Sequence, residues 1–255
     1  MSGNMVPVTL FKKKYQVELS DVDFKNNLKL SMLFNYFQDI ASDAAANLGA
    51  GVNQLQTSYG MAWILMRIRV DITRLPQWGE EIFIETWPLK PKRLEFERDF
   101  LVRDQQGDII IRSISSWVIM DLEERKLKRS EAIGLTYPES IEERAIEAKL
   151  GGLRKNGPLE TAYKRMIGYS DVDFNGHLNN SKYVDFLMDC FPVEAHMKSS
   201  LKTLEVNFVN EMLPGETIVL FKDTSKRDEN LYYIEGMNEN SSRTVFKAVA
   251  EVAEG

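Results

Sequence analysis

The chain of 255 residues holds one cysteine, Cys190, and two histidines, His177 and His196. One thiol excludes an internal disulfide and a cysteine-rich metal site. Two histidines make a poor basis for zinc without carboxylates at matching spacings, so no metal is expected, and no cofactor either. No apolar run approaches the ~20 residues that a membrane-spanning helix needs. A P-loop, a Rossmann glycine pattern, a G-x-S-x-G elbow and a Ser-His-Asp motif are all missing. Positive charge is not in excess: the net charge of −6 argues against nucleic acid as the main partner. The opening stretch, "MSGNMVPVTLFKKKYQVELS", sets its lysines behind its few apolar residues, the reverse of a secretory signal. A cytoplasmic protein is expected. What is present is a globular mixture, 44% hydrophobic and 27% charged, long enough for one large domain or two ordinary ones.

The pentapeptide SDVDF occurs twice, at Ser20–Phe24 and Ser170–Phe174, an offset of 150 residues. At that offset "YQVELSDVDFKNNLKLSMLFNYFQDI" lies over "RMIGYSDVDFNGHLNNSKYVDFLMDC". Each copy reads as a strand-like run, a polar turn and a helix. Leu30, Leu33, Phe34, Phe37, Ile40, Ala41 and Ala44 mark the buried face of the first helix. Tyr183, Val184, Leu187, Cys190 and Phe191 mark that of the second before Pro192 interrupts it. Further on, "VDITRLPQWGEEIFIETW" matches "VNFVNEMLPGETIVLFKD" at an offset of 136, pairing Gly79-Glu80 with Gly215-Glu216. The first copy therefore carries 14 extra residues after its helix, around "ANLGAGVNQLQTSYG". Strands follow at 95–103 and 109–122 in the first copy and at 232–237 and 243–252 in the second, with hairpin turns at "DQQGD" and "NENSS".

The expected fold class is α+β, a long helix wrapped by a curved antiparallel sheet, built twice in tandem. The units span 1–122 and 163–255. The charged stretch between them, 123–162, reads as a linker across the surface, with a short helix predicted over Ser140–Lys149 behind Pro138.

Position by position, the copies differ in polar groups. Asp173 faces Asp23, but Asn175 faces Lys25, His177 faces Asn27 and Glu211 faces Leu75. A purely structural set would recur in both copies, so chemistry is expected in the second alone. A carboxylate can activate water or attack directly, an amide and an imidazole can orient or polarise, and a helix N-terminus favours a developing oxyanion. That set suits attack of water on an acyl carbonyl. Asp23 reads instead as a turn or cap residue, Asn179 and Asn180 as helix caps, and His196 as solvated.

At these residues the sequence resembles the acyl-acyl carrier protein thioesterases, the plant FatA/FatB type and its bacterial relatives. The resemblance rests on "DFNGHLNNSKY", "RLPQWGEEIFIETW" and "RSISSWVIMDLEERKLKR", and it extends over almost the whole chain. It implies a double hot-dog fold and hydrolysis of fatty acyl-ACP to free fatty acid and holo-ACP, ending chain elongation in fatty acid biosynthesis. It assigns Asp173, Asn175 and His177 to the D-x-N-x-H turn and Glu211 to the aromatic-x-x-Glu segment "FVNE". Asp173 would be nucleophile or water-activating base, with Glu211 assisting. Plant-type relatives carry a cysteine where this chain has Met212, which speaks against a cysteine mechanism.

The resemblance also implies that the N-terminal unit houses the acyl chain, which fits the apolar run "MAWILMRIRV". The acyl carrier protein is the expected partner; it is acidic and needs a basic surface. Candidates are Lys12-Lys13-Lys14, Lys90/Lys92/Arg93, Arg125/Lys126/Lys128/Arg129 and Arg154/Lys155. Two fused units supply the pairing that single units obtain by dimerising, leaving monomer and homodimer both open. Rival functions on the same pattern are an acyl-CoA thioesterase, a hot-dog dehydratase acting on 3-hydroxyacyl thioesters, and a non-catalytic acyl-thioester binder.

Overall fold

A computed structural model describes residues 6–254. The first five residues of the opening stretch lie outside them. The elements run β1 (Phe11–Gln16), α1 (Leu30–Asn47), α2 (Val52–Tyr59), β2 (Met61–Ile72), β3 (Glu81–Pro88), β4 (Phe96–Arg103), β5 (Ile109–Asp121) and β6 (Leu127–Lys128). They continue as β7 (Glu160–Met166), α3 (Asn180–Met188), α4 (Val193–Lys198), β8 (Ser199–Phe208), β9 (Thr217–Asp223), β10 (Leu231–Asn238) and β11 (Thr244–Glu254). The strands form one sheet in the order β1-β3-β4-β5-β2-β8-β11-β10-β9-β7, with β6 attached to β5. Every pairing is antiparallel. No helix among the described residues is long and apolar enough to cross a membrane.

The order reads the same from either end once the repeat is applied. In the pairing of β2 with β8, Arg69 lies opposite Glu205, its own counterpart at the 136-residue offset. A pseudo-two-fold axis therefore passes through that pair. The predicted faces are buried where the helices form. Leu30, Leu33, Phe34, Phe37, Ile40 and Ala41 pack into the core from α1, where Ala44 is also buried, as do Tyr183, Val184 and Leu187 from α3. That helix ends at Met188, so that Cys190, also buried, and Phe191, only partly so, lie beyond it. Each large apolar side chain so buried contributes about 1.5–3 kcal/mol. The extra residues of the first copy, expected after its helix, go mainly into the helix itself. α1 has 18 residues against 9 in α3, whereas α2, with 8, has a counterpart in α4, with 6.

The SDVDF repeat is explained by a backbone circuit that both copies share. The first aspartate is buried and accepts the N–H three residues earlier, Glu18 to Asp21 and Gly168 to Asp171. The second closes a tight turn: Asp23 N donates to Asn27 O and Asp173 N to His177 O. The turn needs a left-handed residue, supplied by Asn26 (φ 64°) and Gly176 (φ 80°). Leu28 N then donates to Pro76 O, and Leu178 N to Met212 O, which ties each turn to the segment ahead of the next strand.

The stretch between the units differs from expectation. Its first part forms β6 and a 3₁₀ turn at Ser130–Ile133. Ser140–Lys149 is not helical but runs as an irregular strap over the outer face of β3–β5. The cause is tertiary. Asp99, fully buried, accepts from Ala145 N at 2.7 Å and Arg144 Nε at 3.0 Å, while Ala145 and Ile146 pack on Trp87, Leu101 and Ile114. Those anchors outweigh a weak local helix preference. Burial nevertheless keeps the Asp99 carboxyl above the usual range, against the pull of Arg144 and Ala145.

The strap ends at a second buried carboxylate. Asp223 accepts from the backbone N–H of Asn156 (2.7 Å), Gly157 (2.6 Å) and Ser225 (2.9 Å). Burial alone would raise its pKa, but Ser225, Gly157 and Asn156 outweigh it and pull it down to about 2. A depressed carboxylate stabilises the fold above its unfolded pKa, ~3.9, and that contribution disappears as pH falls through the folded value. Asp223→Asn should thus lower the urea midpoint at pH 5–8, and its gap from wild type should close between pH 4 and pH 2. A gap unchanged down to pH 2 would contradict this.

Candidate functional site

β2 is longer than the stretch it pairs with β8. Pairing covers Arg67–Asp71 only, so Met61–Met66 leave a free edge where β8 ends and the chain diverges through Val209–Glu211. A cavity of about 990 Å³ occupies this gap and runs along α1. Alternate residues of a strand face opposite ways, yet Ala62, Trp63, Ile64, Leu65 and Met66 all line it. The cavity therefore wraps around the free edge. Trp63 and Leu65 share the inner face with Phe96 and Trp117, whereas Ala62, Ile64 and Met66 share the outer face with Val118 and Met120.

Asp173, Asn175, His177 and Glu211 all line this cavity. The tight turn at 173–176 presents the first three, and the Leu178–Met212 hydrogen bond brings Glu211 alongside. His177 Nε2 stands 3.4 Å from Glu211 Oε2. Asp173 is half-buried, and its Oδ1 accepts from Asn175 N at 2.8 Å. Asp23 is more tightly held, since its Oδ1 accepts from both Lys25 N and Asn27 N, and it does not line the cavity. Lys25 instead donates to His196 O and Ser199 O, pinning the first turn onto the far end of the second copy. The Asn175 side chain is exposed at the mouth beside Phe174.

Asn179 is the N-cap of α3, accepting from Ser181 N at 2.9 Å, and Asn180 begins the helix. Tyr183 donates to Asn210 O at 3.4 Å; burial, with Glu211, Glu216 and Asp173 nearby, raises its pKa above the ordinary tyrosine value. His196 is not solvated as expected. It is half-buried, with Nε2 3.0 Å from Met188 O and its ring edge-on to Phe191, because α4 folds back on the end of the preceding helix. No group of three or more His, Cys, Asp or Glu among the described residues is arranged to hold a metal ion.

One residue of the site was read from sequence only as part of a basic cluster. Arg125 sits in the turn between β5 and β6 at φ 55°, and its Nη2 donates to Glu211 Oε2 at 2.5 Å. The pair joins residues 86 apart, Arg125 in the stretch that follows the first unit and Glu211 in the second unit, so sequence spacing carried no signal of it. Lys12, Lys13 and Lys14 are committed elsewhere, to Glu85, Asp43 and Glu81.

Family models match most of the chain: the acyl-ACP thioesterase N-terminal domain over residues 8–132 and the C-terminal domain over residues 159–249. The chloroplastic oleoyl-acyl carrier protein thioesterase 2 of Arabidopsis thaliana is 24% identical over 244 residues, 89% of this chain and 66% of its own length. The chain spans 59% of the Coriandrum sativum oleoyl-acyl carrier protein thioesterase, at 26% identity over 79% of this chain. It thus falls short of two thirds of the length of these curated relatives. Among solved structures, an acyl-ACP thioesterase from Bacteroides thetaiotaomicron superposes with a TM-score of 0.85 at 24% identity, covering 96% of this chain and 98% of that one. The 12:0-ACP thioesterase from Umbellularia californica gives 0.83 at 20%, covering 97% and 98%. The fold is the α+β hot-dog, in two tandem units as expected.

Cys190 is buried and donates to Phe186 O at 3.4 Å. Burial pushes its thiol up to about 12, Lys222 only partly opposing. A thiol with so little thiolate is a poor nucleophile. Cys190→Ala should retain most of the catalytic rate, and thiol reagents should label the folded protein far more slowly than the urea-unfolded chain. Equal labelling rates would show the thiol to be accessible.

Proposed function

Because the chain belongs to the acyl-ACP thioesterase family, we propose that it hydrolyses fatty acyl-ACP to free fatty acid and holo-ACP, with the site in its C-terminal copy. The observation that carries the assignment of roles is the unequal state of the two carboxylates. Glu211 Oε2 is engaged by Arg125 and His177, whereas Asp173 holds a single backbone N–H and keeps its other oxygen free. Asp173 is therefore the base. It takes a proton from water as the water oxygen bonds to the thioester carbon. The tetrahedral intermediate then collapses, the C–S bond breaks, and the proton passes from Asp173 to the leaving thiolate. Asn175 and His177 orient the water and the thioester oxygen, and Glu211 holds the imidazole in place, itself aligned by Arg125. The N-terminus of α3, beginning at Asn180 on the cavity wall, favours the oxyanion.

The acyl chain lies on the inner face, among Trp63, Leu65, Phe96 and Trp117. The carrier approaches from the outer face, where Arg93, with Arg67 and Lys92 that pair with Glu95 and Glu97, lines a side cavity of about 340 Å³ that shares Met66, Val118 and Leu127 with the main one. A cytoplasmic setting belongs to the same reading, supported by the acidic composition and a lone thiol that needs no oxidising compartment.

Asp173→Asn, His177→Ala and Glu211→Ala should each lower kcat by roughly 10²-fold, with little change in the unfolding midpoint. Asp23→Asn should leave the rate nearly intact; a comparable loss there would overturn the one-site reading. Docking through basic residues predicts that kcat/KM on acyl-ACP falls as salt rises, since screening at about 0.1 M already limits surface charges to ~10 Å. The same acyl group on coenzyme A should be the poorer substrate. Equal efficiency and equal salt dependence on both carriers would indicate an acyl-CoA thioesterase.

A further inference from the structure

Three charged groups lining the cavity go unused by the proposed reaction, Asp39, Glu97 and Arg98, and Arg98 is the one cation among them. Arg98 lies on β4 between Glu97 and Asp99, in the sequence "FERDF". Alternation turns it away from both neighbours. Glu97 and Asp99 face the strap, where they pair with Lys92 and Arg144. Arg98 shares the inner face with Phe96 and with Phe100, whose ring packs against Phe37 of α1. Its own neighbours therefore cannot neutralise it. Among the described residues no carboxylate lies within 4.0 Å of its guanidinium, and its one side-chain partner is Thr86 Oγ1, which accepts from Nη1 at 3.2 Å.

A guanidinium carries five N–H donors, and a charge out of bulk water is costly unless paired or hydrogen-bonded. Arg98 is half-buried against the cavity, and burial pushes its pKa down to about 10, with Tyr137 alone opposing. That phenol is itself pushed up to about 12 by burial, so it stays neutral. Arg98 and Tyr137 line the same cavity as Asp173 and His177. β4 stands two strands from the free edge of β2, about 10 Å across the sheet at ~4.8 Å per strand.

We infer that Arg98 makes its part of the cavity a polar subsite, which stops methyl-terminated acyl chains that reach it and accepts chains carrying an oxygen there. Methylene groups packed against the guanidinium would strip its remaining donors of water and offer nothing in return. A terminal carboxylate, or more weakly a hydroxyl, would supply the missing acceptors. Arg98 is thus a specificity-determining residue. The inference rests on the reading that this cavity holds the acyl chain.

The experiment compares wild type, Arg98→Met and Arg98→Lys on saturated acyl-ACPs of graded length and on the matching ω-carboxyl and ω-hydroxyl chains. In parallel, the Kd values of free fatty acids and of α,ω-diacids are read from Trp63 and Trp117 fluorescence, which does not depend on turnover. Wild type should show a length limit beyond which turnover falls about tenfold or more. An ω-carboxyl group at that length should restore binding. Arg98→Met should raise the ratio of long-chain to short-chain turnover about tenfold and lose the preference for diacids, while Arg98→Lys keeps both. An unchanged length profile and unchanged diacid preference in Arg98→Met would overturn the inference. Absence of turnover at every length, the shortest included, would count against the thioesterase reading alone, and the binding series would still decide the role of Arg98.

Discussion

The contact on which the rest depends is the antiparallel pairing of β2 with β8. It joins the two sheets into one and places Arg69 against Glu205 at the pseudo-two-fold axis. It also ends early. Because β2 continues past its partner, the sheet opens at Met61–Met66, and the cavity occupies that opening. The same geometry sets Arg125, from the turn that follows β5, against Glu211 of the second copy. A site completed across the junction cannot be assembled by either copy alone.

The two copies share a scaffold and differ in what they hang on it. Both make the same hydrogen bonds around the SDVDF turn, and both hold the next turn with a glutamate, Glu80 accepting from Gln77 N and Glu216 from Leu213 N. Stability thus constrains the backbone circuit at both places, which is why the pentapeptide recurs. The side chains pointing into space are free of that constraint. In the first copy Lys25 is used to pin the units together; in the second, Asn175 and His177 face the cavity.

What was legible in the sequence was local or repetitive. Helix faces follow from 3.6-residue periodicity, hairpins from their turn residues, and the unequal polar set from comparing the copies. The grouping of Asp173, Asn175 and His177 was readable because one turn carries all three, whereas the 136-residue match only set Glu211 opposite Leu75 and the resemblance joined it to them. The unreadable parts depend on distant partners. The strap at Ser140–Lys149 has helical spacing but is anchored by Asp99, 46 residues from Ala145. His196 was read as exposed because nothing in "VEAHMKSS" predicts that α4 folds back toward Met188. Arg98 carries a local hint, since alternation separates it from Glu97 and Asp99, but its lack of a counter-charge emerges only from packing.

The sheet does not close on itself, so it ends in two open margins, β1 and β7. Such margins present unpaired N–H and C=O groups and invite another chain to add a strand. Here β1 is built from "FKKKYQ", with its three lysines held by Glu85, Asp43 and Glu81. β7 is broken by a bulge between Thr161 and Tyr163 and carries Lys164 and Arg165. A docking strand would have to bury ammonium groups on one side or follow an interrupted ladder on the other. The lysine run, one candidate landing surface for the carrier, thus also stands where a guard against strand addition is needed.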